Sequence, residues 1–429
     1  MKKIFFLIIF FATSLYANSI KVYHLKNGLT YSVYPINSRV SAINVLIRAG
    51  SIYDPKGKYG LANFVAAMIE RGGSIHYPPD KLLDSLDKYG IQLFSSAGKD
   101  FITIGIKFIN DYQSEALKIF KDILFYPSFN YNEFLSIKKE IIGKIKSLQN
   151  NNDYLAIHQG FVNILKEPDF SHTSTGTIKD VKNISIQDLK KFYKRYFVPK
   201  NMILSFCGNF KYKEVSQFID KNFIFKNRDI NFKSLPKKLE FSNKKAKVIK
   251  NKNLKQAYIY ILFPSQGYLG KDYYGIRILS FILGGNLTSI LPVKIRKERG
   301  LAYSIFSTNY SMVEGGVFVI GLQTENKNCN LAINTIIKEL RNLKRKGIPN
   351  KMIENAKNFF EGSIYLKLQS TYSLASNISY GIYFGKTVPP WNYDVKMIKK
   401  VSKKEIDSLL KKIFNEKKMV ISIVGNVKN

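Results

Sequence analysis

Histidine and cysteine are scarce in this sequence of 429 residues, which has four histidines and two cysteines. The histidines are His24, His76, His158 and His172, and none stands three or four residues from a second histidine or a cysteine. Zinc sites on helices are built from such pairs, so the pattern argues against a metal site of the chain's own. Cys207 lies in an apolar strand pattern, and Cys329 lies in the other half of the chain. We therefore expect two buried thiols and no disulfide.

Acidic residues are also few: 31 Asp and Glu face 67 Lys and Arg, which gives a net charge of +36. Such a charge could attract nucleic acid, anionic lipid or acidic peptides. Lysine is, however, spread along the whole chain beside abundant Ile and Asn, which favours a coding bias. No basic run alternates with aromatic residues in the manner of a nucleic-acid module, so we expect no nucleic-acid partner.

Long hydrophobic runs are missing except at the start of the chain. Met1 to Ala17 combines a basic beginning at Lys2 and Lys3, an apolar run from Ile4 to Phe11, and a small residue at the end. The run is shorter than the roughly 20 residues of a membrane span, so residues 1–17 are predicted to be a secretory signal and the mature chain to begin near Asn18. The alternative is an uncleaved anchor. The signal predicts a periplasmic protein with no integral membrane span after its removal.

An internal repeat is present. Residues 181–210 align without gaps with residues 398–427 at a constant offset of 217, so that Ser185 meets Ser402 and Gly208 meets Gly425. Each copy has the pattern of a serine-capped amphipathic helix, a turn and an apolar strand ending at Gly-Asn. The repeat indicates a duplicated domain.

The rest of the chain supports two halves with one plan. Residues 18–225 form the predicted N-terminal domain, residues 226–240 a polar linker, and residues 241–429 the C-terminal domain. Strand patterns at Ala42–Ile47 and Phe101–Phe108 in the first half correspond to Ala257–Phe263 and Gly316–Leu322 in the second. Helices follow strands without the Gly-rich loops typical of parallel sheets. The predicted fold class is therefore α+β, each domain being a mostly antiparallel sheet covered by helices on one face.

The stretch Tyr59–Gly73, YGLANFVAAMIERGG, has the apolar spacing of a helix bounded by glycines. With the preceding segment 49–61, the loop Asp169–Thr177 and the segment 279–307, it resembles the pitrilysin-type (M16) metallopeptidases, whose zinc helix carries H-x-x-E-H. The resemblance covers nearly the whole mature chain. It implies the two-domain fold that the repeat also indicates.

The zinc chemistry of that family is absent from the matching positions. In the motif register, Asn63 and Ala67 stand at the two histidines and Ala66 at the general base. Lys144, 77 residues after Ala67, stands at the distant glutamate on the helix Glu133–Leu148. An amide, two methyl groups and an ammonium cannot hold zinc, so we expect no cofactor in this chain and no autonomous peptidase activity.

The second half retains a different part of the family's site. The resemblance implies an Arg and a Tyr, seven residues apart, that stabilise the substrate oxyanion, and Arg296 and Tyr303 have that spacing. Composition alone favours Arg296 as a solvated helix charge and Tyr303 as a packed strand aromatic. The family's substrate peptide also adds a strand to a sheet edge. The corresponding segment Leu93–Gly98, with Phe94, Ser95 and Ser96, could accept such pairing.

These expectations combine into one hypothesis and one alternative. The chain would be the non-catalytic subunit of a heterodimer, holding a peptide or unfolded polypeptide with a zinc-bearing M16 partner and supplying Arg296 and Tyr303 to it. Zinc is then expected in the partner. The alternative is a non-proteolytic structural, assembly or peptide-binding protein with the same fold.

Overall fold

The computed structural model describes residues 20–223, 238–242, 247–251 and 253–427. The predicted signal segment 1–17 lies outside these ranges, as does the predicted linker except for residues 238–240. Eleven strands occur in the described part of the chain. They are β1 Lys21–His24, β2 Thr30–Pro35, β3 Val40–Ile47, β4 Gln92–Ala97, β5 Ile102–Ile109, β6 Met202–Gly208, β7 Lys247–Lys250, β8 Gln256–Ser265, β9 Ser304–Ser311, β10 Gly316–Glu325 and β11 Val420–Gly425.

Fifteen α-helices occur in the same described ranges. In the first half they are α1 Leu61–Arg71, α2 Pro79–Tyr89, α3 Gln113–Phe125, α4 Tyr131–Gln149, α5 Asn152–Ile164, α6 Pro168–Ser171, α7 Ile178–Asn183, α8 Ile186–Tyr196 and α9 Tyr212–Asn222. In the second half they are α10 Tyr273–Gly284, α11 Cys329–Lys346, α12 Asn350–Leu366, α13 Thr371–Tyr383, α14 Pro390–Lys400 and α15 Lys403–Ile413. None of these helices combines the length and the apolar character that crossing a bilayer requires.

The strands form two sheets, one in each half. The first has the order β1-β2-β6-β3-β5-β4 and the second the order β7-β11-β8-β10-β9. Among the described strands, only β2 with β6 and β7 with β11 pair in parallel, so both sheets are mostly antiparallel. The α+β fold predicted from the sequence is confirmed.

The two copies of the repeat adopt the same local structure. Ser185 caps α8 by accepting a hydrogen bond from the backbone of Asp188, and Ser402 caps α15 by accepting one from Glu405. Each helix leads through a short turn into the strand that ends at Gly208 or Gly425. These strands, β6 and β11, are inner strands of their sheets.

Each sheet is also covered on its second face by a helix from the other half. Helix α13 packs on β3 and β6 of the first sheet, and α5 packs on β8 and β11 of the second. Strand β8 shows why its sequence is apolar at successive positions: Ile259 and Ile261 face the helices of their own half, whereas Tyr260 and Leu262 join the core of the first half. The sequence predicted helices on one face of each sheet. In the structure, α13 and α5 also cover the other face, each from the opposite half of the chain.

Both cysteines are buried and free, as predicted. Cys207 on β6 packs against Leu374, Ala375 and Ile378 of α13. Burial raises the pKa of its thiol to about 12, so the group is a neutral packing element at the contact between the halves.

Candidate functional site

Helix α1 begins at a carboxylate cap. The backbone N–H groups of Gly60 and Ala62 donate to the two carboxylate oxygens of buried Asp54 at 2.7 and 2.8 Å. Gly60 has φ of +100°, and a Cβ there would lie 2.5 Å from the Thr175 carbonyl oxygen. A negative charge at a helix N-terminus is stabilising, and glycine lets the chain enter at this angle. The Asp54 cap and Gly60 therefore fix where α1 begins.

The side chains on this helix and on α4 do not fit zinc. Ala66 is buried, Asn63 and Ala67 are half-buried, and Lys144 is exposed. Helix α1 packs on α4 through Phe64 and Phe134, whose rings stack with centroids 5.0 Å apart. In the described part of the chain no three His, Cys, Asp or Glu side chains are grouped so that they could hold a metal.

An ion pair joins the two helices instead. The Arg71 guanidinium of α1 donates to both carboxylate oxygens of Glu140 on α4, at 2.6 and 3.0 Å, and lies 3.7 Å from Glu133. The hydrogen bond from Arg71 holds the pKa of Glu140 below its usual range. Arg71 lies four residues after Ala67, and Glu140 lies four residues before Lys144. This spacing was the signal in the sequence that could have identified the ion pair.

Strand β4 lies at the edge of the first sheet, as the peptide-pairing hypothesis requires. One part of this edge is occupied: Glu70 of α1 accepts hydrogen bonds from the Ser95 backbone N–H at 3.0 Å and from its hydroxyl at 2.5 Å. On the other face the Phe94 ring contacts Tyr372 of α13, with centroids 5.0 Å apart. Ser96 is exposed. The edge thus has α1 on one side and α13 on the other.

Arg296 lies in a turn of π-helix, Pro292–Lys297, near the edge strand β9 of the second sheet. The backbone N–H of Glu298 bonds to the carbonyl of Val293, five residues back, which widens the turn. Such insertions are frequent at functional sites. The Arg296 side chain is exposed, and among the described residues its guanidinium has no hydrogen-bond or ion-pair partner.

Tyr303 stands immediately before β9. Its backbone N–H donates to Gln323 of β10 at 2.9 Å, and Thr324 donates to the Leu301 carbonyl at 2.7 Å, so the loop is fixed to the sheet. The ring is 53% exposed, and its hydroxyl reaches only Glu325, at 3.4 Å, within the described residues. Both members of the predicted pair are thus available on the surface of the second half.

The structure brings the predicted residues together in two separate groups. Helices α1 and α4 and strand β4 meet in the first half, linked by Arg71 with Glu140 and by Glu70 with Ser95. Arg296 and Tyr303 form the second group. Within the described ranges, no hydrogen bond or ion pair joins Arg296 or Tyr303 to Asn63, Ala66, Ala67 or Lys144.

Two homologous halves, with a helix pair that lacks the zinc ligands, define a metallopeptidase fold without its catalytic side chains. Residues 31–163 match the family described as Insulinase (Peptidase family M16), and residues 183–360 match the Peptidase M16 inactive domain. The chain belongs to peptidase family M16.

Relatives in the same family include inactive members. The chain is 26% identical to the "Non-peptidase homolog YmxG" of Helicobacter pylori, over 90% of this chain and 89% of that protein. It is 23% identical to the "Zinc protease PqqE" of the same organism, over 82% and 80%. A crystal structure of a peptidase M16 inactive domain from Pseudomonas fluorescens superimposes with a TM-score of 0.88 at 17% identity, covering 95% of this chain and 98% of that one. Together with the substituted positions, these findings support an inactive M16 member.

Proposed function

We propose that this chain is the non-catalytic subunit of a periplasmic M16 zinc peptidase, and that it supplies Arg296 and Tyr303 to the zinc site of a catalytic partner. The observation that carries the proposal is an asymmetry. All four predicted metal-site positions are substituted, whereas the Arg296 guanidinium is exposed on a π-helical turn and the Tyr303 phenol is exposed on the following loop, which is fixed to the second sheet.

The chemistry of that pair suits acyl transfer. A guanidinium and a phenol are hydrogen-bond donors, and donors held in place before the reaction stabilise the negative charge that develops on the scissile carbonyl oxygen. The partner's zinc would supply the activated water. Within this chain, Arg296 and Tyr303 would bind and orient the carbonyl, and the edge strand β4 would hold an extended peptide through backbone hydrogen bonds.

The partner and the location rest on different observations. Helicobacter pylori has one relative named a non-peptidase homolog and another named a zinc protease, which is the combination that a heterodimer needs. The predicted signal at residues 1–17 supports export. Cell fractionation tests this directly: the full chain should appear in the periplasmic fraction with its N-terminus near Asn18.

Reconstitution tests the proposal. The mature chain, a zinc-bearing M16 protein from the same cell, and their mixture are each incubated with an unfolded polypeptide. We expect cleavage only in the mixture, and we expect the two chains to co-elute in gel filtration. If the zinc protein cleaves equally well alone and the two chains do not associate, the heterodimer is excluded and a scaffolding role without proteolysis becomes the better account.

A further inference from the structure

Strand β4 presents its side chains alternately to two helices. Ser95 faces α1, where Glu70 binds it, and Phe94 faces α13, where Tyr372 contacts it. Tyr372 also covers Gly105, the residue paired with Phe94 on β5, since a Cβ there would lie 2.0 Å from the Tyr372 ring. A peptide that adds to β4 would follow the same alternation, so every second side chain would point towards α13.

A groove runs along helix α13. It consists of two adjoining cavities of about 460 and 350 Å³, which share Lys367, Ser376 and Asn377 as lining residues. The larger cavity includes Tyr372, the ring that contacts the edge strand. Tyr380 and Arg277 are among the residues that line the smaller cavity. The groove therefore leads from the edge of the first sheet into the helices of the second half.

The far end of this groove carries an excess of positive charge. Lys386 pairs with Asp394 at 2.7 Å, and so is neutralised. Arg277 is half-buried, and no carboxylate pairs with it within the described part of the chain. Its guanidinium lies over the rings of Phe360 and Tyr273, 4.9 and 5.6 Å from their centroids. The two rings hold the guanidinium in place, and because they are uncharged they do not neutralise it.

The groove has the length of a short peptide segment. Tyr372 and Tyr380 are eight residues apart on one helix, which corresponds to about 12 Å along its axis. An extended peptide covers that distance in about four residues.

We propose that this groove binds a carboxylate of a peptide whose neighbouring residues pair with β4, and that Arg277 and Lys367 are the groups that recognise it. The inference rests on the proposed peptide-binding function and adds a substrate class to it. The carboxylate can come from an Asp or Glu side chain or from a free C-terminus. On the α1 side of β4 lies a cavity of about 310 Å³, in which Leu82, Leu86 and Leu93 stand beside the charged side chains of Glu70, Arg71, Asp80 and Glu133.

Fluorescence anisotropy with labelled decapeptides tests the inference on the mature chain. One probe alternates Val and Ser, carries one Glu and has an amidated C-terminus. The second replaces Glu by Gln, and the third is the Gln peptide with a free C-terminus. We expect the Glu probe, the free-acid probe or both to bind about tenfold more tightly than the amidated Gln probe, because a charge-assisted hydrogen bond is gained. Whichever probe gains affinity identifies the source of the carboxylate.

Variants separate a specific site from the general attraction of a chain with net charge +36. Arg277→Gln should abolish the preference and Arg277→Lys should retain part of it. Arg345→Gln removes an equal charge from the exposed surface of α11 and should leave the preference intact. Equal binding of all three probes, or an equal loss in Arg345→Gln, would overturn the carboxylate site. Absence of binding by every probe would overturn pairing with β4 as well, whereas Arg296 and Tyr303 are tested independently by reconstituted cleavage.

Discussion

The guanidinium of Arg71 binds the carboxylate of Glu140 through two hydrogen bonds of 2.6 and 3.0 Å, between helices α1 and α4, which the family register predicts to be the zinc-site helices. Arg71 follows Ala67 by four residues, and Glu140 precedes Lys144 by four. Each partner therefore lies one helical turn from a residue that the register predicts to replace a zinc ligand. A cross-link made of protein side chains alone connects α1 and α4.

A double-mutant cycle measures this link. Arg71→Ala and Glu140→Ala should each lower the free energy of unfolding modestly, with a coupling energy of about 0.5–1 kcal/mol, because both side chains are substantially exposed. The coupling should disappear as the pH falls through the lowered pKa of Glu140, since the protonated acid no longer accepts from Arg71. Additive single effects at neutral pH would contradict the cross-link.

Ser379 couples the two halves through buried hydrogen bonds. On α13 its hydroxyl accepts from the Asn44 amide at 3.0 Å and lies 2.9 Å from the Ser205 hydroxyl, both on the first sheet. Ser379→Ala should cost about 1–3 kcal/mol in urea unfolding, because the buried Asn44 amide loses its partner. Ser147→Ala, at an exposed position of α4, is the matched control and should be nearly neutral. A neutral Ser379→Ala would show that α13 is held by apolar packing alone.

Asp100 should make stability depend on pH. It is buried in the turn between β4 and β5, where it accepts from the Val313 backbone at 3.2 Å. Burial, with a contribution from Glu314, raises the pKa of Asp100 to about 7. Between the ordinary pKa of an aspartate, about 4, and this value the folded state binds more protons than the unfolded state. The free energy of unfolding should therefore fall as the pH rises across this window.

Asp100→Asn tests whether Asp100 causes the free energy of unfolding to fall as the pH rises. The variant should match the parent near pH 4 and be more stable near pH 7, by up to the order of 4 kcal/mol. Asp111→Asn, on an exposed turn, should leave the pH profile unchanged. Urea titrations at several pH values provide the measurement. A parent profile that is flat across the window would mean that Asp100 is ionised in the folded protein.

Gly105 should be intolerant of a side chain. A Cβ there would meet the Tyr372 ring at 2.0 Å, so Gly105→Ala must displace α13 from the first sheet, at a cost of about 1–3 kcal/mol. Gly143→Ala is the control, because no heavy atom lies within 4 Å of its Cβ position on α4. It should stabilise the helix by about 0.5–1 kcal/mol. Thermal unfolding distinguishes the two, and equal effects would contradict the close contact.

Local signals in the sequence predicted much of the fold. Serine caps and apolar strands, repeated at Ser185 and Ser402, indicated the duplication. The spacing within α1 indicated a helix, and the positions of Cys207 and Cys329 indicated buried thiols. These features depend on neighbouring residues, whose periodicity is visible in the chain itself.

Contacts between distant residues were not predictable in this way. Helix α13 covers β6 through contacts such as the hydrogen bond between Ser205 and Ser379, which are 174 residues apart in the sequence. A hydrogen bond between two serines leaves no periodic pattern in the sequence. The contact of Tyr372 with Gly105 and the hydrogen bond from the Ser95 backbone to Glu70 likewise leave no pattern in the sequence. The groove at Arg277 arises from such contacts, which is why Arg277 had no distinguishing feature in the sequence.

The most direct test of the central claim is the turnover number of the reconstituted complex. Arg296→Ala and Tyr303→Phe should each lower kcat about 100-fold with little change in KM, because a donor to the developing oxyanion is lost. Arg299→Ala, at an exposed position three residues further on, should leave kcat unchanged. If Arg296→Ala and Tyr303→Phe complexes cleave at the parental rate, this chain does not contribute to the partner's active site.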